Sequence, residues 1–227
     1  MIPPWSYTAL STFENCPRQY YRRYILKEKE PETSEMKWGN EVHKQLEERL
    51  KFDKPLPEGM RQWEPLAGSV KKAARGKDLQ TEFGFGVEND LKPCDFFSKR
   101  VWGRGKADIL VVDDTAAWIG DWKTGKPREK EFQLGVFAGF VFAWYPRVKR
   151  IAANNLWLKE HKAGPTYYFS RENDMATIWA AIHSRVKQIE ACMNAGSWPE
   201  RPSGLCGWCH DKTCKHNPHK DRDFLNG

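Results

Sequence analysis

At 227 residues the chain is long enough to bury one good-sized core and a small appendage. With 30% charged, 40% hydrophobic and 13% aromatic residues it is excluded from the disordered class, and no run approaches the roughly 18 apolar residues of a membrane span. Lys and Arg total 37 against 30 Asp and Glu, a formal charge of +7. That balance favours a polyanionic partner, because counterion release drives association with nucleic acid.

The N-terminus lacks a basic region followed by an apolar run, so no signal peptide is expected. A reducing cytoplasm is the expected location, and the six cysteines then need a role other than disulfides. Ser6 can cap a first short helix bearing Leu10 and Phe13. Pro17 suits the first position of a second helix carrying Tyr20, Tyr21 and Tyr24 among arginines, with Asn15 or Cys16 as its cap. After a Glu- and Pro-rich linker, Met36, Gly39, Val42, Leu46 and Leu50 recur at spacings of three and four. They form one face of an amphipathic helix, with His43 beside it. Prolines interrupt residues 52–77, where a helix near Val70–Arg75 fits.

Strand patterns follow over Gln80–Val87, Ala107–Val112 and Ala116–Lys123, the last two joined by turn chemistry at Asp113-Asp114-Thr115. An amphipathic, strongly aromatic helix is expected over Glu129–Trp144. Strands are expected over Lys149–Leu158 and Thr166–Phe169, and a long helix over Glu172–Ala195 stopped by Gly196. The order describes an α/β protein with a mixed sheet flanked by helices. It reads as a single domain: N-terminal helices over 1–50, a central sheet and helix over 80–160, and a Cys-rich tail over 196–227.

The hairpin carries the chemistry. Residues two apart in a strand share a face, so Asp121 and Lys123 are neighbours. A two-residue loop at Asp114-Thr115 pairs Asp113 with Ala116, and the same register sets Asp108 opposite Asp121. Two cross-strand acids repel unless neutralised, and a divalent cation such as Mg²⁺ or Mn²⁺ neutralises them directly. Lys123 would orient a water or stabilise developing charge on a phosphoryl group. On spacing alone, an ordinary surface Asp–Lys pair is an equal reading.

Gly105-Lys106-Ala107-Asp108, a short apolar strand and Gly120-Asp121-Trp122-Lys123-Thr124-Gly125 together resemble the core motif of the PD-(D/E)XK nuclease superfamily. More narrowly, they resemble its RecB-like branch. The resemblance implies a restriction-endonuclease-like fold and assigns His43, within Gly39–Glu47, as a metal ligand beside Asp108 and Asp121. Gln133-Leu134-Gly135-Val136-Phe137 is similar to the branch's glutamine motif, with Phe137 where that motif has tyrosine. Gln133 would then touch substrate phosphate or position the lysine; the alternative is a helix-surface amide. Glu82 falls on the strand where related nucleases sometimes carry an acid.

Cys206, Cys209 and Cys214 form a compact thiolate cluster that needs a fourth ligand. The tail offers His210, His216 or His219, which suits Zn²⁺; Cys16 is the other option. Cys16-Pro17-Arg18-Gln19-Tyr20 resembles the N-terminal motif of RecB-like nucleases with an iron–sulfur cluster, among them the CRISPR-adaptation nuclease family and the AddB nuclease domain. The resemblance implies a [4Fe–4S] cluster on Cys16, Cys206, Cys209 and Cys214, stapling the tail onto the N-terminal helix. Cys94 and Cys192 read as buried thiols.

Arg104, Lys106, Lys126 and Arg128 crowd the motif as candidate DNA contacts, with Phe96, Phe97 and Trp102 close by. The expectation is a metal-dependent DNA nuclease, an exonuclease acting on ends or single strands in recombination, repair or replication. A helicase or annealing protein is an open choice of partner. The rivals are a catalytically silent DNA-binding iron–sulfur scaffold and a zinc-bearing RNA-binding module.

Overall fold

The computed structural model describes residues 2–127 and 131–219. Its helices are α1 (Tyr7–Asn15), α2 (Pro17–Tyr20), α3 (Ser34–Phe52), α4 (Glu64–Ala73), α5 (Glu131–Trp144) and α6 (Arg171–Ala195). Its strands are β1 (Asp78–Val87), β2 (Pro93–Cys94), β3 (Gly103–Asp113), β4 (Ala116–Lys123), β5 (Arg150–Trp157) and β6 (Lys162–Ser170). The chain divides into two compact units, Glu32–Ile182 and a second combining Met1–Pro31 with His183–Gly227.

The larger unit holds one six-stranded sheet in the order β2-β1-β3-β4-β5-β6. Its pairings are antiparallel except β4–β5, whose parallel pairing is allowed by the α5 crossover. This is the mixed α/β sheet flanked by helices that the element order implies. The β3–β4 register runs from Asp113↔Ala116 to Ile109↔Gly120, as the two-residue loop requires. Asp114 in that loop adopts φ 43°, a left-handed turn conformation that aspartate tolerates.

On one face of the sheet, α3 buries Val42, Leu46 and Leu50 against Ile109, Val111 and Trp122. The helix starts at Thr33, whose hydroxyl accepts a hydrogen bond from the Met36 amide, and ends at Asp53 in the left-handed region (φ 60°). The prolines of 52–77 do not prevent further helix: a 3-10 turn over 58–63 runs into α4, with Pro65 in the first turn, where its missing amide costs nothing.

The other face is covered by α5. The expected amphipathic helix is corrected here, because every residue from Gln133 to Phe142 is buried. The helix lies between the sheet, where Phe140 stacks on Phe85, and the start of α6, where Trp179 meets Phe140 edge-on. A helix apolar on almost every side belongs inside a layered fold, and this one also carries a buried amide, Gln133, against Asp121 and Lys123 of β4.

Strand alternation does not run unbroken through β1 and β3. Leu79 packs into the α3-side cluster, yet Phe83 and Phe85 pack against Trp144 and Phe140 of α5. Ile109 and Val111 face α3, yet a side chain at Gly105 would strike Phe140 and Phe137 of α5. Period 2 would put each of these sets on one face. Both strands therefore reverse their facing midway. The reversal falls at Glu82, which has φ 50° inside a strand, and at Asp108, opposite it in a register that shows no slip. Such irregularities re-aim side chains, and here they re-aim two carboxylates.

In the smaller unit Ser6 caps α1, its hydroxyl accepting from the Ala9 amide at 3.2 Å. Cys16 is the N-cap residue of α2, which continues as a π-turn over 21–25. Trp198 stacks on Tyr20 and Tyr21 at 5.7 and 5.3 Å, and Phe13 meets it edge-on. Asp211, 5% exposed, accepts hydrogen bonds from Arg18 Nε at 2.7 Å and Arg22 Nη1 at 2.8 Å. The tail is thus held on the helix that follows Cys16. No helix among the described residues is long and apolar enough to cross a membrane.

Candidate active site

Three donors meet where the strands reverse. One donor atom each from His43, Glu82 and Asp108 lies within 4.8 Å of the others. His43 Nδ1 is 3.3 Å from Asp108 Oδ1 and 3.9 Å from Glu82 Oε1. Asp108 Oδ2 accepts a hydrogen bond from the Trp122 amide at 2.8 Å, which ties β3 to β4 at the site. Glu82 Oε2 is paired with Lys106 Nζ at 2.6 Å. Burial works against the His43 proton, but its hydrogen bond to Asp108 and the charges of Asp108, Asp121 and Glu82 outweigh that and raise its pKa.

Behind this group, Asp121, Lys123 and Gln133 form a closed set. Gln133 donates through Nε2 to Asp121 Oδ1 at 2.9 Å and accepts from Lys123 Nζ at 3.1 Å, while Lys123 pairs directly with Asp121 Oδ2. Asp121 is 4% exposed. Burial first, and the Asp108 charge second, push its carboxyl up to about 6 despite Lys123 and His43. A carboxylate that resists ionising beside a second carboxylate, a histidine and a lysine is a place where added positive charge is welcome.

The structure places His43, Glu82 and Asp108 in one donor group and Asp121, Lys123 and Gln133 in a hydrogen-bonded set behind it. Asp121 faces Gln133 and Lys123, and Glu82 takes its place in the tight triad. The surface-amide alternative for Gln133 does not survive its burial at 9% exposure. His43, Glu82, Lys106 and Asp108 line an open groove of ≈ 660 Å³ with Asn40 and Thr124, large enough for a small molecule or a strand segment.

Among the candidate DNA contacts, Arg104 lies over the Phe96 ring at 5.2 Å, Lys106 is engaged by Glu82, and Lys126 is exposed. Arg128 lies outside the described residues. Sequence reasoning missed Asn155, paired with Asp121 in the parallel ladder and buried, its side-chain oxygen without a hydrogen-bond donor among the described residues. The signal was there: adjacent asparagines are unusual in a strand.

In the smaller unit, Cys16, Cys206, Cys209 and Cys214 line one cavity with His216. The Cys209 thiol is pushed up mainly by burial, and the Cys214 and Cys16 thiolates contribute in the same direction. No three of these four cysteines have sulfurs as close together as the His43 triad's donor atoms. Cys94 and Cys192 are half-buried, not the buried thiols expected.

Over residues 4–104, somewhat under half of the chain, the sequence matches a family model described as the PD-(D/E)XK nuclease superfamily. The matched segment includes Cys16, His43 and Glu82 and ends before Asp108. The six-stranded mixed sheet with helices on both faces is consistent with the restriction-endonuclease-like fold of that superfamily. Among solved structures, the chain is similar to one described as "Crystal structure of SSO0001". The two share 16% identity and a TM-score of 0.47, over 91% of this chain and 84% of that one. No curated protein matches the sequence. The family match suggests a phosphodiesterase that uses a divalent metal on nucleic acid, and the donor group supplies residues suited to such a metal.

Proposed function

We propose that the protein is a metal-dependent DNA nuclease of the RecB-like kind, acting on DNA ends or single strands. The observation that carries this reading is the convergence of His43, Glu82 and Asp108 beside the Asp121–Lys123–Gln133 set. Two carboxylates and an imidazole fit an oxygen-preferring divalent cation of the Mg²⁺ or Mn²⁺ class. When bound, such a cation polarises a phosphodiester and lowers the pKa of a ligated water.

The chain's own residues do the rest. The Trp122 amide fixes the Asp108 carboxylate. Gln133 holds Asp121 and Lys123 in one orientation, so the lysine's charge is already in position when negative charge develops on the phosphoryl group. Lys106 pairs with Glu82 at the edge of the groove, where its ammonium would also meet a substrate phosphate.

Cys16, Cys206, Cys209 and Cys214 would hold a [4Fe–4S] cluster that staples the tail, a reading supported by their shared cavity. The presence of His216 there keeps Zn²⁺ as the alternative.

The test is digestion of end-labelled linear and closed circular DNA with Mg²⁺, Mn²⁺ or EDTA, beside the Asp108→Ala protein. Metal-dependent loss of linear DNA alone, absent in the variant, is the expected result. Cutting of circles would make the enzyme an endonuclease. Cleavage in EDTA, or by the variant, would sink the site.

A further inference from the structure

The β2–β3 segment carries a feature that the metal site does not use. Gly84 and Gly86 of β1 stand opposite Lys106 and Arg104 of β3, so all four belong to one face of the strand pair. A Cβ on Gly86 would meet the Cys94 and Asp95 carbonyl oxygens at 2.6 and 2.8 Å, and one on Gly84 would meet the Phe96 ring at 3.1 Å. These two glycines therefore let the chain leaving β2, at Asp95 and Phe96, lie back across that face. Phe96 rests on Gly84 under the Arg104 guanidinium. Lys106, next along β3, reaches Glu82 of the metal-binding group.

Phe97 is set edge-on against Phe96, ring centroids 5.0 Å apart, and is 85% exposed. Its turn is pinned: the Ser98 amide bonds to Asp95 O, the Val101 amide to Ser98 O, and the Trp102 amide to Val87 O. Lys99 and Arg100, both exposed, follow after Ser98. A single exposed phenylalanine is ordinary. This one stands on an aromatic and cationic platform, with no other large exposed apolar residue between Leu91 and Trp102. A protein partner would want a wider apolar patch; a polyanion with flat bases matches one ring among cations.

We propose that Phe97 stacks on an unpaired base of a DNA strand whose phosphates pass Arg104 and Lys106 on the way to the His43–Glu82–Asp108 groove. The proposal rests on the nuclease reading for what that groove holds. Gly84 is two residues, roughly 7 Å, from Glu82 along the strand. Because the backbone of the turn that carries the ring is already hydrogen-bonded, binding costs little ordering of the chain there.

Equilibrium binding of fluorescein-labelled oligonucleotides in EDTA, where cleavage does not intrude, tests this with wild type, Phe97→Ala and Phe97→Trp. The alanine variant should bind single strands and overhang-bearing duplexes at least fivefold more weakly, the low end of what base–aromatic stacking gives. It should bind blunt duplexes unchanged, and tryptophan should restore single-strand binding. Equal single-strand binding by wild type and Phe97→Ala, or equal losses on single and blunt DNA, would overturn the site. Wild-type cleavage with Mn²⁺ is measured in parallel. Phe97-dependent binding without cleavage would count against the nuclease reading alone, and cleavage with Phe97-independent binding against the stacking site alone. No binding to any DNA would overturn the stacking site, and an absence of cleavage with Mn²⁺ beside it would overturn the nuclease reading as well.

Discussion

Replacing Asp121 by asparagine should stabilise the metal-free protein while abolishing its activity. The Asp121 carboxyl is raised from 3.8 to about 6, chiefly by burial and then by Asp108. Its folded pKa therefore exceeds its unfolded one. The stability that this group contributes is complete below pH 3.8 and is lost as pH rises through about 6. A shift of about two units at 1.36 kcal/mol each amounts to about 3 kcal/mol. Asparagine keeps the shape and avoids the buried charge. In EDTA the variant should thus come close to wild type near pH 4 and exceed it by about 3 kcal/mol at pH 8, roughly 6–12 °C in Tm for a unit of this size. Thermal melts followed by circular dichroism across that range measure the difference, and titrations distant from Asp121 cancel in it. Adding Mn²⁺ should stabilise both proteins, because His43, Glu82 and Asp108 are intact in the variant. If the variant is less stable than wild type at pH 8 in EDTA, the Lys123 ion pair dominates. Asp121 is then an ordinary structural partner, and the stored repulsion is absent.

Three further outcomes are expected. His43 holds its proton to raised pH because Asp108, Asp121 and Glu82 outweigh its burial, so metal binding must displace that proton. Mn²⁺ affinity should rise with pH, and calorimetry in buffers of different ionisation enthalpy should show proton release that disappears in His43→Gln. Glu82 carries φ 50°, a conformation that glycine adopts freely. Glu82→Gly should therefore be more stable than Glu82→Ala by about 1 kcal/mol in urea unfolding, with both losing metal affinity. Anaerobically purified protein should contain iron and acid-labile sulfide, and Cys16→Ala should lose both. Zinc alone, retained in Cys16→Ala, would transfer the site to Cys206, Cys209, Cys214 and His216.

The parts of this protein that sequence alone determined are those fixed by local geometry. A two-residue loop sets the β3–β4 register from Asp113↔Ala116 to Ile109↔Gly120, one step short of Asp108 and Asp121. The helical spacing of Val42, Leu46 and Leu50 likewise sets which side of α3 is buried and leaves His43 at its edge. Tertiary structure decided what depends on partners far along the chain. Gln133 is buried because α5 is enclosed by sheet and helix, which the helix's own pattern does not reveal. Glu82 joins His43 and Asp108 because β1 and β3 reverse their facing at that pair, an irregularity of long-range strand pairing. A period-2 reading assumes an unbroken pleat, so it assigns faces correctly only until the backbone departs from it. In this chain the departure falls at the candidate metal site, where re-aimed carboxylates are what the chemistry needs.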